Sequence, residues 1–192
     1  MAVLHEKRKY TYEDYCQLPS DIRAKVLDGE LLMCASPNTR HQRISWKIEN
    51  PLGNWVEERG LGEVLDAPMD VVLSQHDVVQ PDILFISRNQ LKIITEKNIQ
   101  GAPDLVVEIL SPGDEQRDTV RKKAIYEKYG VKEYWIVDTM AETMAVFGLE
   151  GRKLKEKAVY HCGEVLESAV LPDFSLSLEE VFVEDLTIGE SG

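Results

Sequence analysis

The chain of 192 residues has few cysteines, no long hydrophobic run and no excess of basic charge. Its three cysteines, Cys16, Cys34 and Cys162, are far apart and form no C-x-x-C pair, so neither a disulfide framework nor a cysteine zinc site is indicated. No apolar run approaches the roughly 20 residues of a membrane helix, and the segment Met1 to Tyr10 lacks the hydrophobic stretch of a signal peptide. We therefore expect a cytoplasmic protein with free thiols and no membrane partner.

Acidic residues outnumber basic ones, with 34 Asp and Glu against 22 Lys and Arg, which gives a formal net charge of −12. A protein this acidic is repelled on average by nucleic acid and by anionic membranes, so a globally basic binder is excluded. The composition, 43% hydrophobic and 29% charged, is typical of a soluble globular protein. Because no repeat and no Gly/Ser/Pro-rich linker divides the chain, we expect a single domain over residues 1–192.

Hydrophobic periodicity predicts helices and strands in close succession. A turn at Asp28-Gly29 within Lys25–Ala35 indicates strand, turn and strand, and a four-residue apolar repeat predicts a helix over Asn38–Arg59 that Pro51 should kink or split. The remaining predicted elements are strands at Val64–Leu73, Asp82–Ile86, Asp104–Leu110 and Glu133–Val137, a helix from the Ser111–Asp114 cluster to about Tyr129 and Gly130, a hairpin of Thr143–Phe147 with Lys153–Tyr160, and a short helix at Leu178–Val183. This order predicts an α/β (α+β) fold, a mixed β-sheet flanked by helices with a C-terminal β-hairpin.

Three charged side chains fall where the local pattern is apolar. Glu108 interrupts the run Leu105–Leu110 and shares a strand face with apolar residues, where an isolated carboxylate needs a cation nearby. Asp82 begins a strand directly after Pro81, at the end of an element, where active-site residues often lie. Lys122 is the basic member of a helical row that otherwise contains Ile125, Tyr126 and Tyr129, and it needs an anion.

Two carboxylates and one lysine on consecutive elements form a known chemical set. Mg²⁺ takes one or two carboxylates and keeps several waters, while a lysine can orient or activate a water and offset negative charge. Such sets hydrolyse phosphodiesters. Simpler interpretations stay open: Glu108 and Lys122 could form a plain buried ion pair, Lys122 could extend along the tyrosines to water, and Asp82 could bond backbone amides in a turn.

The dipeptide Pro-Asp occurs three times, at Asp82, Asp104 and Asp173. Asp104 lies on the same predicted strand as Glu108 but roughly 13 Å from it along the backbone, too far to share one ion comfortably. Asp173 falls in a turn near the C-terminus, where solvation in a loop is the easier explanation. Asp82, on a neighbouring strand, is therefore the preferred partner of Glu108.

These residues resemble a known family. The segments that carry the resemblance are Gln80-Pro81-Asp82-Ile83, Gly101 to Pro112, Arg117-Asp118 with Lys122 and Tyr126, and Glu133 to Asp138. Together they resemble the Uma2 family of the PD-(D/E)XK restriction-endonuclease-like superfamily, over about Tyr12 to Val183. The resemblance implies a restriction-endonuclease-like core.

The same resemblance implies roles for individual residues. Asp82 and Glu108 are similar to the metal-binding acids, and Glu30 is similar to an additional acidic residue of the family. The superfamily pattern has a lysine two residues after the glutamate, where this chain has Leu110, and the resemblance implies that Lys122 on the next helix takes that place. His41 matches a further family position, for which a functional and a structural histidine are both open.

The first hypothesis is a Mg²⁺-dependent endonuclease, with Mn²⁺ as substitute, that hydrolyses DNA phosphodiester bonds by metal-activated water. Asp82 and Glu108 hold the ion, Glu30 assists through the metal or its water, and Lys122 positions the attacking water. A local basic cluster offsets the acidic net charge at this site, and it comprises Arg117, Arg121, Lys122, Lys123 and Lys128. DNA is the preferred substrate, and RNA stays open.

The alternative hypothesis is a catalytically silent module that keeps the nuclease fold for binding or assembly, as a homodimer in one form. In that case the four residues form a satisfied buried polar network that specifies the fold. A covalent hydrolase that uses Cys34 or Cys162 is the weakest hypothesis, because neither cysteine has an activating base nearby in the sequence.

Overall fold

The fold is described from a computed structural model over residues 8–19, 22–33, 36–110 and 116–183, with side chains of the last range from residue 119 onward. In chain order the elements are α1 (Tyr12–Cys16), β1 (Ala24–Leu27), β2 (Glu30–Met33), α2 (Thr39–Arg59), β3 (Gly62–Asp66), β4 (Val71–Ser74), β5 (Asp77–Val79), β6 (Ile83–Ser87), a 3₁₀ helix (Arg88–Ile93), β7 (Leu105–Leu110), α3 (Gln116–Tyr129), β8 (Glu133–Asp138), β9 (Thr143–Glu150), β10 (Lys153–His161), β11 (Val165–Glu167), β12 (Ser175–Ser177) and α4 (Leu178–Phe182).

A six-stranded mixed sheet organises the molecule, with the strand order β10-β9-β8-β7-β6-β3. Strands β7 and β8 are parallel, and the other neighbouring pairs of this sheet are antiparallel. Helix α3 makes the connection between β7 and β8, as a parallel pair requires. The predicted mixed sheet with flanking helices is therefore confirmed, and the predicted C-terminal hairpin is the pair of β9 and β10.

A second sheet has four strands in the order β2-β1-β5-β4. The prediction of a single strand over Val64–Leu73 is therefore wrong. Strand β3 ends at Asp66 in the large sheet, and β4 begins at Val71 in the small one. Pro68 lies between them and has no N–H to give to a strand ladder. Strand β5 has only three residues, and the sequence pattern did not indicate it.

Helix α2 begins after Asn38, whose side chain accepts a hydrogen bond of 2.8 Å from the backbone N–H of His41. Its apolar stripe is buried against the large sheet and consists of Ile44, Ile48, Leu52 and Val56. The helix continues through Pro51, so the predicted split is wrong. One lost backbone hydrogen bond is outweighed because Ile48 and Leu52 are fully buried on either side of the proline, at about 1.5–3 kcal/mol each.

Alternating residues of the central strand β7 face two different parts of the core. Leu105, Val107 and Ile109 pack with α2 and α4, whereas Val106 packs with α3 and the small sheet. Strand alternation therefore directs Glu108 toward α3. The predicted Ser111–Asp114 cap lies outside the described residues, while Gly130 ends α3 with a φ of +81° as expected. Over the described ranges, no helix is long and apolar enough to cross a membrane.

Candidate active site

Glu108 is the most deeply buried of the predicted site residues, with 4% of its surface exposed. Its Oε2 accepts a hydrogen bond of 2.5 Å from Lys122 Nζ, and its Oε1 accepts one of 2.5 Å from the Tyr126 hydroxyl. Burial raises the pKa of this carboxyl, the Lys122 ammonium lowers it in part, and the negative charge of Asp82 raises it further. The net direction is upward, so this carboxylate is incompletely compensated.

Helix α3 supplies both side-chain donors of Glu108. Lys122 and Tyr126 are four residues apart and therefore lie on one face of the helix. The Lys122 side chain is 16% exposed, whereas Tyr126 is completely buried. Burial and the neighbouring Glu108 raise the pKa of the Tyr126 phenol well above 10.0, so the phenol keeps its proton and acts as a donor.

Asp82 lies beside Glu108. Strands β6 and β7 are antiparallel and pair Ile83 with Val107, so Asp82, which precedes Ile83, lies opposite Glu108, which follows Val107. The Oδ2 atom of Asp82 accepts a hydrogen bond of 2.7 Å from the backbone N–H of Ile109. The Asp82 charge contributes to the raised pKa values of both Glu108 and Tyr126. The structure therefore brings Asp82, Glu108 and Lys122 together.

His41 joins this group from the first turn of α2. Its Nε2 lies 3.2 Å from Asp82 Oδ1, and its side chain is almost fully buried. Sequence reasoning placed His41 near the start of a helix without a partner. The signal that locates it is the cap at Asn38, which fixes the beginning of α2 and thereby the direction of His41.

Glu30 contacts α3 at Arg121. Its side chain is 51% exposed, and its Oε2 is 3.0 Å from Nη1 of Arg121. Arg121 also donates to the carbonyl oxygen of Leu27 at 3.0 Å, which fastens β1 and β2 to α3. The described contacts of Glu30 are with Arg121, and they do not bring it to Asp82, Glu108 or Lys122.

The predicted basic cluster on α3 is not one patch. Arg121 pairs with Glu30, Lys122 with Glu108, and Lys128 with Asp77 at 2.9 Å. Lys123 points elsewhere, with Nζ 4.1 Å from the ring centroid of Phe147. The side chain of Arg117 lies outside the described part of the chain. Successive helical residues differ by about 100° in direction, which distributes these cations around the helix.

The match to known families covers residues 11–179, and the family is Uma2, described as "Putative restriction endonuclease". The chain belongs to the Uma2 family. A solved structure with the same fold is described as a putative nuclease belonging to DUF820 from Anabaena variabilis ATCC 29413. It is 18% identical, with a TM-score of 0.76, over 90% of this chain and 97% of that one. None of the curated proteins matches the chain. The family and the fold predicted from the sequence are thereby confirmed.

A second buried carboxylate in this Uma2 protein has a similar set of partners. Asp77, 1% exposed, accepts hydrogen bonds from Lys128, from Tyr129 at 2.6 Å and from the backbone N–H of Asp28. Burial acts to raise the pKa of Asp77, but the hydrogen bonds from Tyr129, Asp28 and Lys128 outweigh it and lower the pKa. Asp77 is a compensated structural carboxylate, and Glu108 differs from it in the direction of the shift.

Asp104, the other acid on the Glu108 strand segment, also has structural partners. It accepts hydrogen bonds of 2.7 Å from the backbone N–H of Ser87 and from Gln90, and it pairs with Lys132 at 2.5 Å. These contacts explain its burial without a metal ion. They agree with the expectation that Asp82 is the partner of Glu108.

The Uma2 site has donors that suit a hard cation. Among the residues that the structure describes, no three His, Cys, Asp or Glu side chains are arranged to hold a metal ion. Mg²⁺, however, is commonly held by one or two carboxylates together with waters. Asp82 and Glu108 are such a pair, and each ionised carboxylate oxygen has two lone pairs, so a hydrogen bond leaves acceptor capacity. The donor chemistry therefore fits Mg²⁺ or Mn²⁺ bound mainly by water and two acids.

Proposed function

We propose that this Uma2 protein is a divalent-metal-dependent endonuclease that hydrolyses phosphodiester bonds of DNA, with Mg²⁺ as its ion and Mn²⁺ as substitute. The observation that carries the proposal is the Asp82 and Glu108 pair beside Lys122, in which burial and like charge raise the pKa of Glu108. Buried acids with a shifted pKa next to a specific charge partner are typical of functional sites. The family description and the fold similarity support the same activity.

Each residue has a role that its chemistry permits. Asp82 and Glu108 would hold the ion, which when bound polarises a phosphoryl oxygen and makes water a better nucleophile. The ammonium group of Lys122 only donates hydrogen bonds, so it suits the lone pair of an attacking water and the oxygens of a phosphate. Glu30 would assist through the metal or its water, from a position where it pairs with Arg121.

A second candidate function is a catalytically silent module with the nuclease fold, including a homodimeric form. The observation that favours it is that both oxygens of Glu108 already have a donor, Lys122 on one and Tyr126 on the other. A buried network in which each member has a partner rigidifies a fold without any turnover. In this case Glu108 is the counterpart of Asp77.

Metal binding and cleavage together distinguish the two candidates. Mg²⁺ and Mn²⁺ are titrated by calorimetry into the wild type and Asp82→Ala, and cleavage is followed on supercoiled plasmid, single-stranded DNA and RNA. We expect the wild type to bind the ion and Asp82→Ala to lose binding. Lys122→Met is expected to stay folded, bind metal and cleave about 100-fold more slowly or not at all, because a donor to developing charge is lost.

Lys128→Met is the matched control, because Lys128 lies on the same helix and also pairs with a buried carboxylate. We expect it to cleave like the wild type. Equal and negligible metal binding by the wild type and Asp82→Ala contradicts the metal site and favours the silent module. Undiminished cleavage by Lys122→Met contradicts the role of that lysine.

A further inference from the structure

The two oxygens of the Glu108 carboxylate have different surroundings. Oε1 bonds the hydroxyl of Tyr126, which is completely buried, and Oε2 bonds Lys122, which is partly exposed. Oε1 is therefore the inner oxygen, and Oε2 is the oxygen on the side from which solvent, an ion or a substrate would approach. Tyr126 and Lys122, both on α3, thus each donate to a different oxygen of the carboxylate.

The Asp77 group on the same helix shows a different arrangement. Lys128 and Tyr129 both donate to Oδ2 of Asp77, and the backbone N–H of Asp28 donates to Oδ1. The tyrosine and lysine there share one oxygen with the Ser74 hydroxyl, and a backbone N–H bonds the other oxygen. At Glu108 the tyrosine and the lysine bond different oxygens, so the tyrosine fixes Oε1 and the lysine bonds Oε2.

Tyr126 is a rigid donor. Its ring is fully buried in the core cluster of α3 and the small sheet, and its centroid lies 5.1 Å from that of Tyr134 at an interplanar angle of 54°. Close packing leaves such a ring one orientation. The hydroxyl is consequently fixed in space, and it fixes the rotation of the carboxylate that it bonds.

We propose that Tyr126 is a positioning residue for Glu108, whose hydroxyl holds Oε1 and so presents Oε2 to Lys122 and to a metal ion. This inference rests on the proposed function. Tyr126 does not touch the substrate, and it acts through the carboxylate. Groups that orient a metal-binding carboxylate by hydrogen bonding commonly affect metal affinity and turnover although they are not ligands.

The test compares Tyr126→Phe with the matched control Tyr129→Phe. Each substitution removes from α3 one hydroxyl that donates a hydrogen bond to a buried carboxylate. Mn²⁺ affinity is measured by calorimetry, kcat and KM with plasmid DNA, and folding by thermal melting. We expect Tyr126→Phe to lose about ten-fold in Mn²⁺ affinity and about ten-fold in kcat, with KM within about two-fold of the wild type. Tyr129→Phe is expected to melt earlier without a change in metal affinity or kcat.

The outcomes separate the inference from the proposed function. If the wild type binds Mn²⁺ and cleaves DNA while the two phenylalanine variants have equal metal affinity and kcat, the positioning role is overturned and the nuclease proposal stands. If the wild type binds no metal and cleaves no DNA, the proposed function fails and the inference fails with it.

A second variant covers the case in which Tyr126→Phe does not unfold cooperatively. Tyr126→4-aminophenylalanine keeps the ring and offers a weaker N–H donor in place of the hydroxyl. The same losses of Mn²⁺ affinity and kcat are expected at a smaller size, because a weaker donor still orients Oε1. Losses of about ten-fold or more in this variant, although it keeps a donor to Oε1, would overturn the positioning role.

Discussion

Glu108 and Asp77 are two buried carboxylates to which helix α3 donates a tyrosine and a lysine each, yet their pKa values shift in opposite directions. The physical difference is the neighbourhood. Burial is the largest cause of the upward pKa shift of Glu108, and the negative charge of Asp82 adds to it, whereas at Asp77 the hydrogen bonds from Tyr129, the Asp28 N–H and Lys128 outweigh burial. At the residue scale, one site therefore retains uncompensated negative charge and the other does not.

The opposite shifts predict opposite pH dependences of stability. A raised folded-state pKa means that Glu108 favours folding fully below its ordinary value of 4.5 and loses this contribution as pH rises through the folded-state pKa. The advantage of the wild type over Glu108→Gln should therefore shrink as pH rises above 4.5. Urea unfolding of both proteins between about pH 4 and pH 8 measures this difference in the free energy of unfolding.

Asp77→Asn is the matched comparison. The lowered pKa of Asp77 means that its contribution is present above the ordinary value of 3.8 and is lost as pH falls through the folded-state pKa. We expect this variant to be less stable than the wild type at neutral pH by about 1–3 kcal/mol, with the difference narrowing in acid. If the stability differences of Glu108→Gln and Asp77→Asn from the wild type changed with pH in the same direction, the opposite pKa shifts of the two carboxylates would be contradicted.

At the scale of elements, the start of α2 and a strand register orient the site. Asn38 sets the first turn of α2 and with it His41, while the register of β6 with β7 sets Asp82 against Glu108. The helices α2 and α3 meet the large sheet on opposite faces. The site therefore depends on four elements, of which the helix start is a local property of the sequence and the strand register is not.

Replacing two glycines of the helices by alanine is expected to change the free energy of unfolding in opposite directions. Gly53 lies inside α2, and an added Cβ there meets no atom within 4 Å, whereas Gly130 ends α3 at a φ of +81°. Gly53→Ala should stabilise the fold by about 0.5–1 kcal/mol, because alanine is the better helix former. Gly130→Ala should destabilise it by about 1 kcal/mol, because a side chain disfavours the left-handed conformation.

Urea unfolding at neutral pH measures both changes. Since neither alanine creates a close contact, the two free energies of unfolding report backbone conformation alone. A loss of stability in Gly53→Ala would show that the turn after Pro51 does not tolerate an ideal helical residue. An unchanged stability in Gly130→Ala would contradict the left-handed end of α3.

At the scale of the whole molecule, the acidic net charge of −12 opposes DNA binding. Many described cations are also committed to internal partners. Arg121, Lys122 and Lys128 pair with carboxylates, and the lysines of β10 pair with Glu127 or Glu150. Tight nonspecific binding to duplex DNA is therefore not expected.

The charge distribution predicts a weak dependence of DNA affinity on salt. The slope of log K against log salt is about −0.9 per neutralised phosphate, and we expect fewer than about four phosphates to be neutralised. Fluorescence anisotropy with labelled duplex between about 50 and 200 mM salt measures the slope. Lys122→Met serves as the binding protein here, because its impaired cleavage leaves the DNA intact. A slope steeper than about −3.6 would mean that a basic surface forms on binding.

Much of this protein was accessible from sequence because the relevant signals are local. Apolar repeats located α2, the run Leu105–Leu110 located β7, and the conflict between Glu108 and its apolar neighbours predicted the cation that the structure supplies as Lys122. The same reasoning failed at Val64–Leu73, since two short apolar segments on either side of Asp66–Asp70 do not record that they join different sheets.

The sequence by itself determined the types of most elements, the family, and the identity of the charged residues that could not stay alone in an apolar setting. Only the tertiary structure decided which partner each one has. Lys122 and Lys128 are both basic residues of α3, and nothing in their spacing assigns the first to Glu108 and the second to Asp77. That assignment, like the approach of His41 to Asp82, follows from strand register and from the packing of elements that are distant along the chain.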